Sequence, residues 1–219
     1  MANTSRRAGI LITLEGPDGA GKSTQARMLA ERLRGAVREV VSTREPGGTE
    51  LGERIRAVLL DASAESHDAL SDALLFNAAR SRHVSEVIGP ALARGAIVVC
   101  DRFADSSLAY QGYGGGVPLD ALRALASVSI GDTTPDRTVL IDVSVRAGLG
   151  RRSAGQSEGL NRFETDESQH DSAFHQRVRD GYLELARQEP RRWRIVDGSA
   201  DPERVAEAIW SAVADLFES

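Results

Sequence analysis

The feature that most constrains this chain is an octet near its N-terminus, Gly16-Pro17-Asp18-Gly19-Ala20-Gly21-Lys22-Ser23. The octet fits G-x-x-x-x-G-K-[ST], the phosphate-binding loop (P-loop) in which backbone N–H groups surround phosphates and the lysine reaches the β- and γ-phosphates of a nucleotide. Lys22 is the only lysine in a chain that otherwise carries its permanent positive charge on arginine. A compact ammonium fits inside this loop where a planar guanidinium does not. The octet therefore predicts a nucleotide-binding site.

The segments around the octet have the patterns of a strand and a helix. An apolar run at 10–14 precedes it, and helical spacing begins at Lys22. Further short apolar runs predict strands at 36–42, 96–100, 137–141 and 193–196. Helical periodicity predicts helices at 22–34, 51–60, 68–94, 119–127, 168–188 and 202–217. This alternation is typical of an α/β fold, with a parallel sheet covered by helices on both faces.

Length and composition narrow the class of protein. A chain of 219 residues is long enough for one α/β domain, and we predict a single domain over 1–219. The net charge of −5 argues against a protein whose function is to bind the phosphate backbone of a nucleic acid. One cysteine excludes an internal disulfide and fits a reducing compartment, and no apolar stretch is long enough to span a bilayer. We therefore expect a cytoplasmic protein with no nucleic-acid or membrane partner.

Two strand ends carry a second set of candidate functional residues. The strand at 96–100 is followed by Asp101 and Arg102, which offer a metal-facing anion and a phosphate-facing guanidinium at the sheet edge where ligands bind. Asp142 ends another apolar run, but no arginine follows it, so we prefer Asp101. The alternative for the Asp101–Arg102 pair is a surface salt bridge. The turn at 43–49 is either a rigid part of the same ligand-binding edge or an ordinary strand-to-helix turn.

Two other features each allow two interpretations. Phe76 and Arg80 share a helix face, where they either contact a base or are a core aromatic and a surface charge. The tract at 153–159, flanked by arginines, is either a solvated loop or a lid that closes over phosphates. The glycine-dense segment at 112–116 is predicted to be a mobile loop, and Pro90 to kink or end its helix.

Several strings in the chain have to be considered together. They are E-G-P-D-G-A-G-K-S-T at 15–24, T-R-E-P-G-G-T at 43–49, D-R-F at 101–103 with S-S-L-A-Y-Q-G at 106–112, N-R-F-E at 161–164 and R-D-G-Y-L-E-L-A at 179–186. Together they resemble one family, the thymidylate kinases, in their bacterial form. The resemblance runs from about residue 10 to the last helix. The strings at 43–49 and at 101–112 are far more specific than the P-loop.

The resemblance implies transfer of the γ-phosphoryl group of ATP to dTMP, giving dTDP and ADP. It also implies a P-loop NTPase fold with a five-stranded parallel sheet, a homodimer, dependence on Mg²⁺ and a mobile lid at about 151–165. Lys22 would hold the ATP phosphates, Ser23 would ligate Mg²⁺ with Asp101 nearby, and Arg102 would bridge donor and acceptor. The implied ATP-binding residues are Gly16, Pro17, Asp18, Gly19, Ala20, Gly21, Lys22, Ser23 and Thr24.

The resemblance also assigns the acceptor site. Asp18 would accept the 3′-OH of the deoxyribose, Phe76 would stack on thymine, and Arg80 would donate to the carbonyl edge of the base. Tyr110 would lie against the 2′ position and disfavour ribonucleotides. The remaining implied dTMP contacts are Arg44, Glu45, Arg102, Ser107 and Gln111. Ser107 departs from the family pattern, since some relatives carry asparagine there.

A transition-state arginine is not evident in the P-loop, where some members of the family place it. We therefore expect the lid to supply it from Arg151, Arg152 or Arg162, with Arg152 preferred. The lid departs from many relatives because Asn161 replaces an aspartate and 153–159 contains no arginine.

Three other functions stay open at this point. The nearest is another nucleotide or nucleoside kinase that accepts dUMP, dCMP or a nucleoside. A P-loop switch that reads guanine is disfavoured, because its Asn-Lys-x-Asp string needs a lysine other than Lys22. A catalytically silent relative is disfavoured by the intact Lys22, Ser23, Asp101 and Arg102.

Overall fold

The computed structural model describes residues 9–35, 39–61, 68–154 and 172–217. Five strands form one sheet in the order β2-β3-β1-β4-β5, and all four neighbouring pairs are parallel. The predicted five-stranded parallel sheet is therefore confirmed. The strands are β1 Ile10–Glu15, β2 Val40–Arg44, β3 Ile97–Asp101, β4 Arg137–Asp142 and β5 Trp193–Asp197.

Helices connect the strands and cover both faces of the sheet. Among the described residues, none of them is both long and apolar enough to cross a bilayer. The α-helices are α1 Lys22–Arg34, α2 Glu50–Leu60, α3 Ala69–His83, α4 Gly89–Ala93, α5 Ala104–Ser107, α6 Leu119–Ile130, α7 Val145–Ala154, α8 Ser172–Gln188 and α9 Pro202–Val213. Two π-helical segments, Val84–Ile88 and Leu108–Gly114, and a 3₁₀ turn at Ala214–Leu216 complete the described chain.

The predicted helix at 68–94 contains a widened turn rather than a break. Asp68 caps α3 by accepting from the N–H groups of Leu70 and Ser71. The π segment Val84–Ile88 follows, with Gly89 donating its N–H to the carbonyl of Val84, five residues back. Pro90 comes just after this turn, near the start of α4. The wider turn accommodates the missing N–H of Pro90, so the chain stays helical to Ala93.

The prediction of a mobile loop at 112–116 is wrong for its first half. Gly112 and Gly114 lie in the π segment Leu108–Gly114 and are buried. A Cβ atom at Gly114 would come within 2.8 Å of Phe174 and Val178 on α8. The glycines are therefore needed for close packing of this segment against α8, which local propensity did not reveal.

The second strand is also displaced from its prediction. It was expected at 36–42, but β2 is Val40–Arg44, and residues 36–38 lie outside the described ranges. Within the described ranges β2 is an edge strand, which pairs with β3 in the register Val40 to Ile97 through Arg44 to Asp101. Because all five strands are parallel, Glu15, Arg44, Asp101 and Asp142 end at one edge of the sheet, where ligands bind in such folds.

Candidate active site

The P-loop connects β1 to α1 in a conformation that glycine makes possible. Gly16, Gly19 and Gly21 have φ values of 148°, 73° and 87°, a region that other residues rarely adopt. A Cβ at Gly16 would lie 2.5 Å from the carbonyl oxygen of Ile141. Gly21 is the N-cap of α1 and offers no side-chain oxygen to its N–H groups. The start of α1 is thus a site for an anion, as in other P-loops.

Lys22 is buried at the start of α1 and points back into this loop. Its Nζ donates to the carbonyl oxygens of Gly16, at 3.0 Å, and Pro17, at 2.8 Å. Burial lowers the pKa of Lys22 to about 8, and the positive charge of Arg102 acts in the same direction. A bound phosphate would stabilise the charged form of this buried ammonium, because a phosphate carries the full negative charge that carbonyl oxygens lack.

Ser23 and Asp101 form the arrangement expected of a cation site. Ser23 Oγ donates to Asp101 Oδ2 at 2.5 Å, while Asp101 Oδ1 is buried and accepts no hydrogen bond from the described residues. Within the described ranges, no group of three or more histidine, cysteine or acidic side chains could hold a metal. The pair fits Mg²⁺, which binds through one or two protein oxygens and otherwise keeps water and substrate phosphates.

Arg102 is held in place from several sides. Its guanidinium donates to Asp18 Oδ1 at 2.5 Å, to the hydroxyl of Tyr110 at 3.0 Å and to the carbonyl of Gly16 at 3.2 Å. The guanidinium carbon also lies 4.8 Å from the ring centroid of Tyr110. Arg102 has a φ of 67°, an uncommon value for a residue with a side chain. This conformation turns the chain at the end of β3 so that the guanidinium faces the P-loop.

One cavity of about 450 Å³ joins the P-loop to the other predicted motifs. The ends of β2 and β3, helices α2 and α3 and the π segment Leu108–Gly114 complete its walls. The predicted residues that line it are Asp18, Gly19, Gly21, Lys22, Ser23, Thr24, Arg44, Glu45, Phe76, Asp101, Arg102, Ser107, Tyr110 and Gln111. The structure thus brings together residues from five separate stretches of the sequence.

Arg80 is the predicted acceptor-site residue that lies behind this wall. It is only 1% exposed, so the interpretation of Arg80 as a surface charge is wrong. Its Nε donates to Glu45 at 2.7 Å, and its terminal nitrogens donate to Ser107 and to the carbonyl of Phe103. Arg80 therefore fixes two lining residues, Glu45 and Ser107, while its contact to a base stays a prediction.

Sequence reasoning missed four residues that line the cavity. Arg56 is the most significant, because it adds a positive charge that faces the same space as Arg44. Its guanidinium donates to the carbonyl of Pro46 at 3.1 Å, and burial, followed by the charge of Arg44, lowers its pKa. The available signal was the spacing of Arg56 and Leu60, which share one face of α2. The others are Pro46, Leu60 and Ser106.

The three predicted lid arginines differ in their surroundings. Arg151 donates to the carbonyls of Gly198, at 2.7 Å, and Ser199, at 3.1 Å, and so holds the turn between β5 and α9. Arg152 lies in α7, but the described part of the chain does not include its side chain. Arg162, Asn161 and the rest of the proposed lid from residue 155 onward lie outside the described residues.

Comparisons with known proteins agree with this geometry. A family model described as thymidylate kinase matches residues 14–209. The thymidylate kinase of Thermomicrobium roseum is 49% identical over 94% of this chain and 95% of its own length. That of Deinococcus radiodurans is 47% identical over 94% of this chain and 97% of its own length.

A solved structure extends the agreement to the fold. The crystal structure of thymidylate kinase from Ehrlichia chaffeensis matches with a TM-score of 0.76 at 35% identity, over 94% of this chain and 98% of that one. The resemblance inferred from the motifs is therefore confirmed, and so is the P-loop NTPase fold that it implied. This chain belongs to the thymidylate kinase family.

Proposed function

We propose that the chain transfers the γ-phosphoryl group of ATP to the 5′-phosphate of dTMP, giving ADP and dTDP. The observation that carries the proposal is that the P-loop, Phe76, Tyr110 and Arg102 all line the same cavity. Two anionic substrates repel each other, so they can occupy one cavity only if their phosphates lie near its positively charged side chains. The relatives from Thermomicrobium roseum and Deinococcus radiodurans are thymidylate kinases, which agrees with this pairing of donor and acceptor.

The reaction needs alignment and positive charge more than proton transfer. A phosphate oxygen of dTMP forms a bond to the γ-phosphorus, and the bond from that phosphorus to the bridging oxygen breaks, leaving the electron pair on ADP. No general base is needed, because the attacking oxygen is already ionised. Lys22, Arg102 and Arg56 all line the cavity, and their positive charges would offset the charge on the transferring group.

Mg²⁺ is the implied cofactor, and Ser23 and Asp101 are the residues that would hold it. When bound, it would supply positive charge that offsets the negative charge of the ATP phosphates during transfer. The buried Oδ1 of Asp101, beside Ser23 Oγ, is the protein atom best placed to orient its water shell.

The acceptor side of the cavity fits a deoxynucleoside monophosphate. Asp18 lines the cavity and is paired with Arg102, and in this proposal it accepts the sugar 3′-OH. Phe76 and Tyr110 also line the cavity, and in this proposal Phe76 stacks on the base and Tyr110 lies against the sugar. Arg44 and Arg56 line the same cavity and are suited to the acceptor phosphate.

Initial rates with a panel of acceptors test the proposal. With ATP and Mg²⁺ held constant, we expect dTMP to give the highest kcat/KM among dTMP, dUMP, dCMP, GMP and thymidine. A faster reaction with dCMP or GMP would assign the fold to a different acceptor. No ADP release with any acceptor would indicate a binding protein without catalytic activity.

We further propose that the protein is a homodimer. Leu51 and Val58 on α2 and Leu70 and Leu74 on α3 are large apolar side chains that are close to half exposed in the single chain. Helices α2 and α3 pack together, so a second copy could cover both. Light scattering should give twice the monomer mass for the natural chain and the monomer mass for Leu74→Glu. A monomeric natural chain would contradict the proposal.

A cytoplasmic location, with no nucleic-acid or membrane partner, stays a prediction from composition. The described structure adds that Cys100 is a free thiol buried in β3. Burial raises the pKa of this thiol well above its ordinary value, so Cys100 is a core residue and not a nucleophile.

A further inference from the structure

Glu15 is a buried carboxylate with no part in the phosphoryl-transfer step itself. It is the last residue of β1, immediately before the P-loop, and it is fully buried. Burial, together with the negative charge of Asp105, raises the pKa of Glu15 to about 7. Burial disfavours the charged form of a carboxylate, so a buried carboxylate next to an active site is a candidate for a functional role.

The hydrogen bonds of Glu15 converge on the residues that hold Arg102. Glu15 Oε2 accepts from Ser106 Oγ at 2.6 Å and from the hydroxyl of Tyr182 at 2.9 Å. The Nη1 group of Arg102 donates to the same two oxygens, at 3.3 Å and 3.1 Å. Two hydroxyl groups therefore stand between the Glu15 carboxylate and the Arg102 guanidinium, each bonded to both.

The direction of these bonds depends on the carboxylate. In its ionised form Glu15 only accepts, so the hydroxyls of Ser106 and Tyr182 both donate to it, and both oxygens present lone pairs to Arg102. Burial, followed by the charge of Glu15, raises the pKa of Tyr182 well above its ordinary value, which keeps its hydroxyl protonated and able to donate. With an uncharged partner in place of Glu15, either hydroxyl could turn its proton toward the guanidinium and repel it.

Glu15 also holds the backbone beside Arg102. Glu15 Oε1 accepts from the N–H of Phe103 at 2.8 Å. Phe103 follows Arg102, whose φ of 67° is uncommon for a residue with a side chain and needs support from its surroundings. The two carboxylate oxygens thus act on the two parts of Arg102 that set its position, the backbone and the guanidinium.

We propose that Glu15 is a positioning residue for phosphoryl transfer, which orients the Arg102 guanidinium through the hydroxyls of Ser106 and Tyr182. The inference rests on the role proposed for Arg102, the group that would touch both substrates. Glu15 itself touches neither, since the residues that line the cavity include Ser106 and Arg102 but not Glu15.

The first test uses substitutions that keep the side chain close to its natural shape and remove the hydrogen bonds between Glu15 and Arg102. Glu15→Gln places an N–H₂ group where only acceptors fit, and we expect kcat to fall about 10²-fold with a smaller change in the KM for ATP. Tyr182→Phe and Ser106→Ala each remove one hydroxyl and should lower kcat about fivefold. Thr138→Val is the matched control, because its buried hydroxyl bonds to Thr13, Arg192 and Asp105, none of which lines the cavity or bonds to Arg102.

The second test separates positioning from a general loss of structure. Each variant is repeated in an Arg102→Ala background, where a residue that acts through Arg102 should lower kcat less than about twofold further. Equal losses in both backgrounds, or normal kcat in Glu15→Gln, would overturn the proposal. If Glu15→Gln does not fold, Tyr182→Phe and Ser106→Ala decide by the same comparison. Near-normal kcat in Arg102→Ala alone would instead remove the proposed role of Arg102.

Discussion

The ammonium of Lys22 and the guanidinium of Arg102 donate to the same acceptor, the carbonyl oxygen of Gly16, at 3.0 Å and 3.2 Å. The two charges come from distant points of the sequence. The carbonyl oxygen between them and the Asp18 carboxylate that pairs with Arg102 offset only part of their repulsion. Phosphates entering the cavity would supply the missing negative charge. The site is therefore organised for an anion before any anion is bound.

Replacing Lys22 tests whether the P-loop requires a lysine at this position. Lys22→Ala removes a charge aimed at the migrating group and should lower kcat about 10²-fold or more. Lys22→Arg keeps the charge but is too wide for the loop, so we expect at least a tenfold loss, measured by ADP release at saturating substrates. Near-normal turnover of the arginine variant would show that the loop does not require a lysine.

The lowered pKa of Lys22 predicts how ATP binding depends on pH. Free Lys22 should titrate near pH 8, and ATP should raise this pKa because its phosphates favour the charged form. By linkage, ATP then binds more weakly as pH rises through 8, by about fivefold between pH 8 and pH 9.

The single lysine makes this measurement direct. Selectively labelled ¹³C-lysine gives one side-chain NMR signal, whose titration is followed with and without ATP, while calorimetry gives the affinity at each pH. Lys22→Met should show no pH dependence of ATP affinity over the same interval. If free Lys22 titrates near its ordinary value of 10.5, burial does not lower its pKa and the expected pH dependence is lost.

Phe76 provides a test of the acceptor half of the site. Phe76→Ala removes the aromatic face and should raise the KM for dTMP about tenfold while changing the KM for ATP little, because stacking contributes roughly 1–3 kcal/mol per base. Arg82→Ala, on the exposed side of the same helix, is the control and should change neither KM. Equal increases in both KM values would argue against stacking of the base on this ring.

The lid arginines can be ranked by substitution. Arg152→Ala should lower kcat about 10³-fold, in the range of arginines that stabilise the transition state of phosphoryl transfer. Arg151→Ala should cost less than about tenfold, because its guanidinium is occupied by the carbonyls of Gly198 and Ser199. Single-turnover rates for both, and for Arg162→Ala, give the order. A severe loss only in Arg151→Ala would mean that this side chain leaves the turn during catalysis.

The parts of the fold that the sequence predicted are those with strong local signals. Apolar runs of strand length located all five strands, although β2 begins later than predicted, and the last helix begins at Pro202 as predicted. Asp201 caps this helix by accepting from the N–H of Arg204. The P-loop was found from its glycines and the single lysine, and the pair Asp101–Arg102 from its position at the end of an apolar strand. Each of these patterns is typical of a ligand-binding site. These signals need no knowledge of what lies nearby in space.

The parts that were missed depend on contacts between distant residues. The burial of Arg80 follows from Glu45 and Ser107, which lie 35 and 27 positions away. Glu15 accepts from Tyr182, 167 positions along the chain, so no local pattern could mark it as functional. Gly114 was assigned to a loop because glycine is usual there, whereas tight packing against α8 is what requires it.

The contact between the P-loop and α7 gives a final prediction about glycine. A Cβ at Gly148 would lie 2.5 Å from the carbonyl oxygen of Asp18, whereas one at Gly150, on the same helix, would meet nothing within 4 Å. Gly148→Ala must therefore push α7 away from the P-loop. It should lower kcat more than tenfold, because misplacement of an active-site group by about 1 Å can lower the rate 10²-fold.

Gly150→Ala is the matched control for this effect. It adds the same methyl group to the same helix and should leave kcat unchanged, while helix propensity favours alanine over glycine by about 1 kcal/mol. Steady-state kinetics and thermal unfolding of both variants make the comparison. If Gly148→Ala and Gly150→Ala have equal kcat, the close approach of α7 to Asp18 is not required for catalysis.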